Sequence, residues 1–312
     1  MVNVVDELRT ALKSVIRNPG YTVLATVILA TGLGLTMFMF SAINAYILRP
    51  LPFPDAKELA HLAVVHEDGG IGDVSVHDFR DWRDRQTSFE SLAGYYSGTI
   101  NLSGRERPVR CEGAFVSPNL IALLGVAPQL GRSFRANEDQ EQAPLVAILS
   151  HELWRDRFSS DPAAVGSELR VNGQQAQVVG VMPAGFNFPY RQDIWLPLRL
   201  EIDQLERGEG MHLDVIARLN DGVSLRTARA EMVTIAGDLA RRYPDSNEGT
   251  SAVVRPLTWK YVSREMRLTL TAMFGSVLLV LVIACSNVAN LLFVRFAKRE
   301  REIALRAALG AG

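Results

Sequence analysis

Two long apolar runs, one near each end, dominate the hydrophobic pattern of this chain. No charged residue occurs from position 18 to 48 or from 268 to 294. Each run exceeds the ~20 residues that an α-helix needs to cross the hydrocarbon core of a bilayer. A buried core helix is the alternative, but helices of soluble domains commonly span only about 8–20 residues. The pattern therefore predicts transmembrane helices over residues 21–48 and 268–294.

A shorter pattern of helical period precedes the first apolar run. Apolar side chains recur on one face of the stretch VVDELRTALKSVIRNPG, at Val5, Leu8, Leu12, Val15 and Ile16. This predicts an amphipathic helix over residues 1–20 that lies along the inner membrane surface. A cleaved signal peptide and a transit peptide are the alternatives. The apolar run that follows is longer than a signal-peptide core, and Asp6 and Glu7 are unusual in a transit peptide.

Between the apolar runs, strand-like alternation next to helical periodicity occurs twice, once at either end of the segment. ELAHLAVVHED predicts a strand and VHDFRDWRDRQTSFESLAGYY a helix, with a buried side formed by Phe79, Trp82, Phe89 and Leu92. Later, HLDVIARLNDG and SAVVRPL predict strands on either side of a helix. The buried stripe of that helix comprises Leu225, Ala228, Met232, Ile235 and Leu239. These units predict an α/β lobe over about 55–96 and 211–258.

The segment over about 97–210 has a different character, with short strands and many turns. PVRCEGAFVS and VAILS alternate like strands, and Asn172-Gly173 lies between two further strand-like runs as a hairpin turn. The stretch SHELWRDRF predicts a helix capped by its serine. This segment is an inserted β-rich lobe. The fold class is therefore an α+β membrane protein, in which two transmembrane helices flank a two-lobed extracytoplasmic domain over residues 49–267.

Basic residues next to the apolar runs predict the orientation in the membrane. They lie on the outer flank of each run, at Arg9, Lys13, Arg17, Arg295, Lys298, Arg299, Arg301 and Arg306. Because short cytoplasmic flanks carry an excess of Lys and Arg, both termini are expected in the cytoplasm. The central domain is expected outside, in the periplasm or the extracellular space. Overall composition, with 48% hydrophobic and 21% charged residues, resembles that of an ordinary globular protein and hides this distribution.

Candidate chemistry in the central domain is sparse. The sequence contains no G-x-x-x-x-G-K-[ST], H-E-x-x-H or G-x-S-x-G motif, so no ATP-hydrolysing or hydrolytic site is predicted in this chain. His77, Asp78 and Asp81 form a potential metal-binding group, but charges on the outer face of an amphipathic helix explain them better. Nucleic acid is not an expected partner, because the central region is acidic. Cys111 lies in the predicted extracytoplasmic domain and Cys285 in the second predicted transmembrane helix. No disulfide between them is therefore expected.

Small and polar residues within the apolar runs predict helix packing. In the first run, Thr26, Ala30 and Gly34 recur every fourth residue and form a smooth stripe that another helix can approach closely. In the second run, Asn287 and Asn290 lie near the cytoplasmic end. A hydrogen bond between helices is the preferred role of these amides, and a transport path is the alternative.

Three stretches of the chain together resemble one known family. They are RNPGYTVLATVILATGLGLTMFMFSAINAYILRPLPFPD, the middle motifs LLGVAPQLGRSF, VAILSHELWRDRF and VVGVMPAGFNFP, and the terminal CSNVANLLFVRFAKREREIALRAALGAG. In this order they are similar to the MacB/FtsX-type permeases of ABC transporters, especially the large duplicated bacterial ones. The resemblance covers essentially the whole chain. It implies a bacterial inner-membrane protein with a MacB-like periplasmic core domain, composed of a porter-like lobe and the inserted lobe.

The resemblance also implies partners. A cytoplasmic ABC ATPase would carry ATP and Mg, so that no cofactor is expected in this chain, and the bilayer surrounds the helices. A second copy, a second permease half and a periplasmic adaptor are further candidates. Residues 295–312 would begin the cytoplasmic coupling loop. The residues implied in ATPase coupling are Arg299, Glu300, Glu302, Ile303, Leu305 and Arg306.

The family continues through further membrane helices, so this chain is expected to be C-terminally truncated. The function implied is that of a permease subunit that couples ATP hydrolysis on another chain to motion of its exterior domain. That motion would serve export or signal transfer across the envelope. From the pattern of two helices around an exterior domain, a membrane sensor or scaffold with an extracytoplasmic ligand-binding domain is the alternative.

Overall fold

A computed structural model describes residues 19–49, 51–103, 108–200, 202–262 and 264–308. The predicted amphipathic helix over residues 1–20 lies almost entirely outside this description. The described residues fall into two compact units. One contains the terminal segments, up to Arg49 and from Val262 onward, and the other is the central segment Pro50–Tyr261.

The α-helices follow one another along the described chain as α1 (Pro19–Ile43), α2 (Val76–Arg85), α3 (Leu120–Leu123), α4 (His151–Phe158), α5 (Leu225–Arg242), α6 (Pro244–Asn247), α7 (Thr258–Tyr261) and α8 (Arg264–Ala308). A π-helical turn (Asn44–Leu48) extends α1. Short 3₁₀ turns lie at Ala56–Glu58, Pro162–Ala164 and Ile202–Gln204.

The strands are β1 (Leu59–His66), β2 (Ile71–Gly72), β3 (Val74–Ser75), β4 (Phe89–Ser103), β5 (Val109–Val116), β6 (Leu130–Gly131), β7 (Leu145–Leu149), β8 (Glu168–Val171), β9 (Gln174–Val181), β10 (Ile194–Pro197), β11 (His212–Leu219) and β12 (Thr250–Pro256). They form one sheet with the order β12-β1-β11-β4-β5-β10-β7-β9-β6, in which β2 and β3 pair with β1 and β11. Strand β8 pairs with both β4 and β9. Most pairings are antiparallel, whereas β5–β10 and β7–β9 are parallel.

The unit of terminal segments contains the two long apolar helices. The segments Thr22–Leu48 and Arg264–Val294 are long and apolar enough to cross a membrane. They overlap the predicted spans 21–48 and 268–294. The second helix, α8, continues beyond its apolar part as far as Ala308.

A single long strand, β4, joins the two predicted lobes of the central unit. Its 15 residues pair first with β11 and then with β5 and β8. The predicted lobe boundary at 96–97 falls in the middle of this strand, so one sheet runs through both lobes without a break.

The helix predicted over VHDFRDWRDRQTSFESLAGYY is wrong in its second half. Helix α2 ends at Arg85, and the remaining residues begin β4 at Phe89. The four side chains assigned to the buried side are indeed buried, at 1% exposure for Phe79, Trp82 and Leu92 and 3% for Phe89. Pairing of β4 with β11 and β5 overrides the helical spacing of Phe89 and Leu92.

Other local predictions are confirmed. Asn172 and Gly173 form the turn between β8 and β9 with φ of 50° and 85°, the positive values that a two-residue hairpin of this type requires. Ser150 caps α4, because its side chain accepts a hydrogen bond from the backbone N–H of Leu153 at 3.0 Å. In α5, Ala228, Met232, Ile235 and Leu239 are buried, while Leu225 is packed at the edge of the same core.

Three hydrophobic cores hold the described residues of the central unit together. The first packs α2 and α5 on one face of the sheet. The second lies around α3 and the aromatic side chains of Tyr95, Phe188 and Trp195. The third fills the inserted lobe, where Cys111 lies buried and its Sγ donates a hydrogen bond to the carbonyl of Ile100 at 3.5 Å. Burial raises the pKa of this thiol to about 11.

Candidate functional site

Two segments connect the central unit to the apolar helices, and both enter the same hydrophobic core. On the N-terminal side, Leu51 and Phe53 pack against the second core. On the C-terminal side, Leu257 is buried in that core at 1% exposure and Tyr261 packs against it. We call the residues 51–58 and 257–261, with the side chains that hold them, the connector site.

Aromatic rings hold the N-terminal connector in this core. The ring of Phe53 meets Phe188 edge to face at 5.9 Å and Phe186 at 6.4 Å between centroids. Phe188 in turn contacts Tyr95 at 5.0 Å, and Phe186 contacts Trp195 at 5.2 Å. The indole N–H of Trp195 donates to the carbonyl of Phe188 at 2.8 Å. Each aromatic pair contributes about 0.5–1.5 kcal/mol beyond the area that it buries, so Phe53 is firmly held.

An arginine on β11 fixes the same connector to the sheet. Arg218 donates through Nε and Nη2 to the carbonyl of Leu123, at 3.0 and 2.8 Å. Its Nη1 donates to Glu58 at 3.1 Å and its Nη2 to the carbonyl of Pro54 at 3.3 Å. Gly125 lies against this point with φ of 69°, and an added Cβ would meet Pro54 at 3.2 Å. One planar guanidinium therefore joins the connector, α3 and β11.

A lysine on α7 fixes the C-terminal connector. The ammonium of Lys260 donates a hydrogen bond to Oδ1 of Asp214 on β11. The same oxygen lies 3.5 Å from Nε2 of His61 on β1, and the Nε–H of Arg255 donates to Nδ1 of His61 at 3.2 Å. Because Arg255 is always a donor, Nδ1 must accept, so His61 is neutral with its proton on Nε2 toward Asp214. The result is a polar chain of four side chains that ties α7 to β1, β11 and β12.

The environment shifts the pKa of two groups in this chain. Burial is the largest cause of the lowered pKa of His61, and the charges of Lys260 and Arg255 lower this pKa further. The hydrogen bond with Asp214 acts in the opposite direction but does not outweigh them. For Asp214, burial acts to raise the pKa, but the hydrogen bonds from His61 and Lys260 and their charges lower it below its ordinary value. The folded protein therefore favours a neutral His61 beside an ionised Asp214.

These shifts predict a pH-dependent stability. Below the unfolded-state pKa of about 6.5 the unfolded chain binds a proton that folded His61 rejects, so the free energy of unfolding falls as pH falls through this range. Replacing His61 with glutamine should flatten the decline in thermal unfolding temperature between about pH 7.5 and pH 5.5. His66→Gln, at the exposed end of the same strand, is the matched control and should keep the wild-type decline. An equal decline in both variants would contradict the assignment.

The predicted packing stripe of α1 does not face α8. Thr26, Ala30 and Gly34 are exposed on the helix pair, and so are Asn287 and Asn290 on α8. Packing of this stripe and of the two amides against a further helix therefore remains a prediction.

The two apolar helices meet through a different face. Gly32 is buried, and an added Cβ there would lie 3.0 Å from Leu281 and 3.8 Å from Ala284. Ala284 and Met39 are buried at 6% and 4% exposure. Gly32 thus permits close approach of the helices. Gly32 is not among the packing residues predicted from the sequence.

The predicted ATPase-coupling residues lie at the far end of α8. Their backbone is helical up to Ala308, but the description includes no side chains from residue 298 onward. The contacts of Arg299, Glu300, Glu302, Ile303, Leu305 and Arg306 therefore lie outside the described residues and remain predictions.

Two of the three polar residues that the sequence placed on the outer face of α2 are buried. His77 and Asp78 are buried at 5% and 6% exposure, so the interpretation as an outer-face charge cluster is wrong for them. Arg207 donates to Asp78 at 2.7 Å and to Asp81 at 2.6 Å, and Asn247 donates to Asp78 at 2.9 Å. Among the described residues, no group of three His, Cys, Asp or Glu side chains is arranged to hold a metal ion. The cluster fixes α2 to the loop before β11.

Comparison with known proteins identifies the family of the fold that carries the connector site. A family model described as MacB-like periplasmic core domain matches residues 22–235, well over half of the chain. The chain belongs to the MacB-like periplasmic core domain family. This confirms the resemblance to MacB/FtsX-type permeases, and a MacB-like periplasmic domain implies an inner-membrane protein with its central domain in the periplasm.

Relatives of this MacB-like chain include proteins named as macrolide export ATP-binding/permease proteins. The macrolide export ATP-binding/permease protein MacB of Salmonella paratyphi A is 25% identical over 202 residues, which are 63% of this chain and 30% of that protein. The protein of the same name in Burkholderia pseudomallei is 23% identical over 272 residues, 80% of this chain and 40% of its own length. The chain thus spans less than half the length of these relatives.

Solved structures similar to this chain include two domains of ABC-type transporters. The periplasmic region of MacB from Actinobacillus actinomycetemcomitans aligns with a TM-score of 0.49 and 12% identity, covering 69% of this chain and 94% of its own. The extracellular domain of the noncanonic ABC-type transporter YknZ from Gram-positive bacteria aligns with a TM-score of 0.46 and 12% identity, covering 62% and 99%.

Proposed function

We propose that this chain is a permease subunit of an ABC transporter, in which a separate cytoplasmic ATPase moves the periplasmic domain. The motion serves export or transfer of a mechanical signal across the envelope. One observation carries the proposal: both connectors to the apolar helices end in the same hydrophobic core. Protein interiors are close-packed and deform little, so a displacement of either helix is passed to that core.

The connector site has parts suited to this transfer. The N-terminal connector is held by the ring of Phe53 and by Arg218, and the C-terminal connector by Leu257, Tyr261 and Lys260. Arg218 and Asp214, the partner of Lys260, both lie on β11. A pull on one connector therefore acts on the same strand as a pull on the other, and β11 passes it to β4 along their ladder of hydrogen bonds.

The partners follow from the proposal. The ATPase, with its ATP and Mg, would dock on the coupling residues at the end of α8. The exposed stripe of Thr26, Ala30 and Gly34 and the amides of Asn287 and Asn290 would face a second copy of the chain or a second permease half. A periplasmic adaptor would contact the central domain.

The proposal is tested by measuring motion in the complete permease with its ATPase, embedded in nanodiscs. Spin labels at Gln174, an exposed residue at the start of β9, and at Phe38, an exposed position of α1, report a distance by pulsed electron resonance. Trapping with ATP and vanadate should change this distance in the wild type. Arg218→Ala should reduce the change, because the N-terminal connector loses one of its two attachments, while the ATPase still co-purifies.

Arg85→Ala is the matched control. Arg85 pairs with exposed Asp238 on the surface of the central unit, away from both connectors, and its loss should leave the distance change intact. A wild-type distance insensitive to nucleotide would refute the proposed function and favour a sensor or scaffold. A normal change in Arg218→Ala would refute only the role of the clamp.

A further inference from the structure

A cavity of about 610 Å³ lies in the described part of the inserted lobe, between α4, the 3₁₀ turn that follows it and β8. Its floor is apolar. Leu102 and Leu149 belong to the third core, and Leu153, Phe158 and Leu169 pack against that core while remaining half-buried. Cavities of ~300–1,000 Å³ with a largely apolar lining are typical of small-molecule sites. The floor therefore suits an aliphatic body.

Charged groups of both signs line this cavity, but they differ in burial. Asp161 and Glu168 are exposed, and both are engaged with their own chain. Asp161 accepts a hydrogen bond from the backbone N–H of Ala163 at 2.9 Å, and Glu168 accepts one from the side chain of Gln175. Arg157 is half-buried, and its Nη1 atom is buried from solvent.

The difference in burial decides the sign of charge that the cavity favours. Charges at exposed positions act through water and are screened by salt, whereas a half-buried charge acts through a lower effective dielectric. A guanidinium has five N–H donors, so Arg157 can bind a ligand in addition to its contacts within the chain. Carboxylates and other planar or tetrahedral anions match its donor geometry.

We propose that this cavity binds an amphipathic organic anion, whose aliphatic body lies on the apolar floor and whose acidic head group pairs with Arg157. This binding activity goes beyond the proposed permease function and does not depend on it, because the cavity lies wholly within the inserted lobe.

The test uses octanoic acid that carries a photoreactive diazirine on its chain, with octanol carrying the same diazirine as the uncharged probe. Both are added to the full chain in nanodiscs, and cross-linked residues are identified by mass spectrometry after illumination. The acid should label residues of the cavity lining between Leu149 and Leu169 saturably, and more strongly than the alcohol by about fivefold or more, the size of a charge-assisted contact.

Three variants test whether Arg157 and the cavity account for the labelling. Arg157→Gln should lower labelling by the acid to the level of the alcohol and leave the alcohol unchanged. Arg155→Gln is the matched control, because Arg155 lies on the same helix, pairs with Asp156 at 2.8 Å and is exposed outside the lining. It should label like the wild type. Ala163→Trp, at an exposed lining position, should fill the cavity and lower labelling by both probes.

Thermal unfolding of each variant establishes that it is folded. The proposal is overturned if labelling in the cavity is absent, if the alcohol labels as strongly as the acid, or if an amine-headed probe labels more strongly than either. It is also overturned if Arg157→Gln and Arg155→Gln label alike. None of these outcomes bears on nucleotide-driven motion, so failure here is distinguishable from failure of the proposed function.

Discussion

Replacing Asp214 with alanine is expected to lower the free energy of unfolding of the central domain by about 2–4 kcal/mol. Asp214 is the shared partner of Lys260 and His61, whose side chains are only 11% and 4% exposed. Without its carboxylate, a largely buried ammonium and a buried imidazole N–H lose their acceptor. The unfolding temperature should fall by roughly 5–15 °C for a domain of this size.

The measurement is thermal unfolding of the full chain in detergent, followed by circular dichroism. Asp238→Ala removes another carboxylate that pairs with two arginines, Arg85 and Arg241, but at the surface, and should shift the transition only slightly. Asp214→Asn keeps an acceptor oxygen without the charge. Its unfolding temperature should lie between those of Asp214→Ala and Asp238→Ala. If Asp214→Ala shifts the transition no more than Asp238→Ala, the polar chain does not hold the C-terminal connector.

Ile303→Asp in the complete permease is expected to abolish stable association with the ATPase. The change places an unpaired charge in the proposed apolar contact, at a cost of several kcal/mol, on the order of a 100-fold loss of affinity or more. Reversing the acids, by Glu300→Lys and Glu302→Lys, should weaken association only in part, because exposed ion pairs each contribute ~0–1 kcal/mol. Co-purification with the ATPase and the ATPase rate of the assembled complex measure the effect.

Ile303→Leu is the conservative control and should retain association, since it keeps apolar volume at the contact. The amount of protein inserted in the membrane must be equal for all variants. Unchanged co-purification and ATP turnover in Ile303→Asp would mean that the end of α8 serves only to fix orientation in the membrane.

Local chemistry made much of this fold predictable. The Asn172-Gly173 turn, the Ser150 cap and the buried stripe of α5 depend on residues within one element or one turn, and each was visible in the sequence. The two apolar runs were likewise evident from their length. These features can be predicted without knowing which residues pack against them.

The end of α2 could not be predicted in the same way. Phe89 and Leu92 have the spacing of a buried helical face, and they are buried, but as part of a strand. What decides the structure is the pairing of β4 with β11, whose residues lie more than a hundred positions further along the chain. Strand formation depends on such partners more than helix formation does.

The connector site could not be predicted from the sequence, for a related reason. His61, Asp214, Arg255 and Lys260 converge from four different elements, and each alone resembles an ordinary surface residue. In the segment after the first apolar run, no sequence pattern signals the contact with Arg218. Only the topology of the sheet brings these residues together.

If the proposed function holds, the continuous strand β4 would act as a lever arm for the inserted lobe. Its 15 residues extend over ~50 Å, and no loop interrupts them at the boundary between the lobes. A tilt of about 5° imposed where β4 pairs with β11 would carry Ser103, ~27 Å beyond the last paired residue Tyr95, through ~2 Å. In the proposed function, a movement at the connectors would reach the opposite end of β4 through one continuous strand.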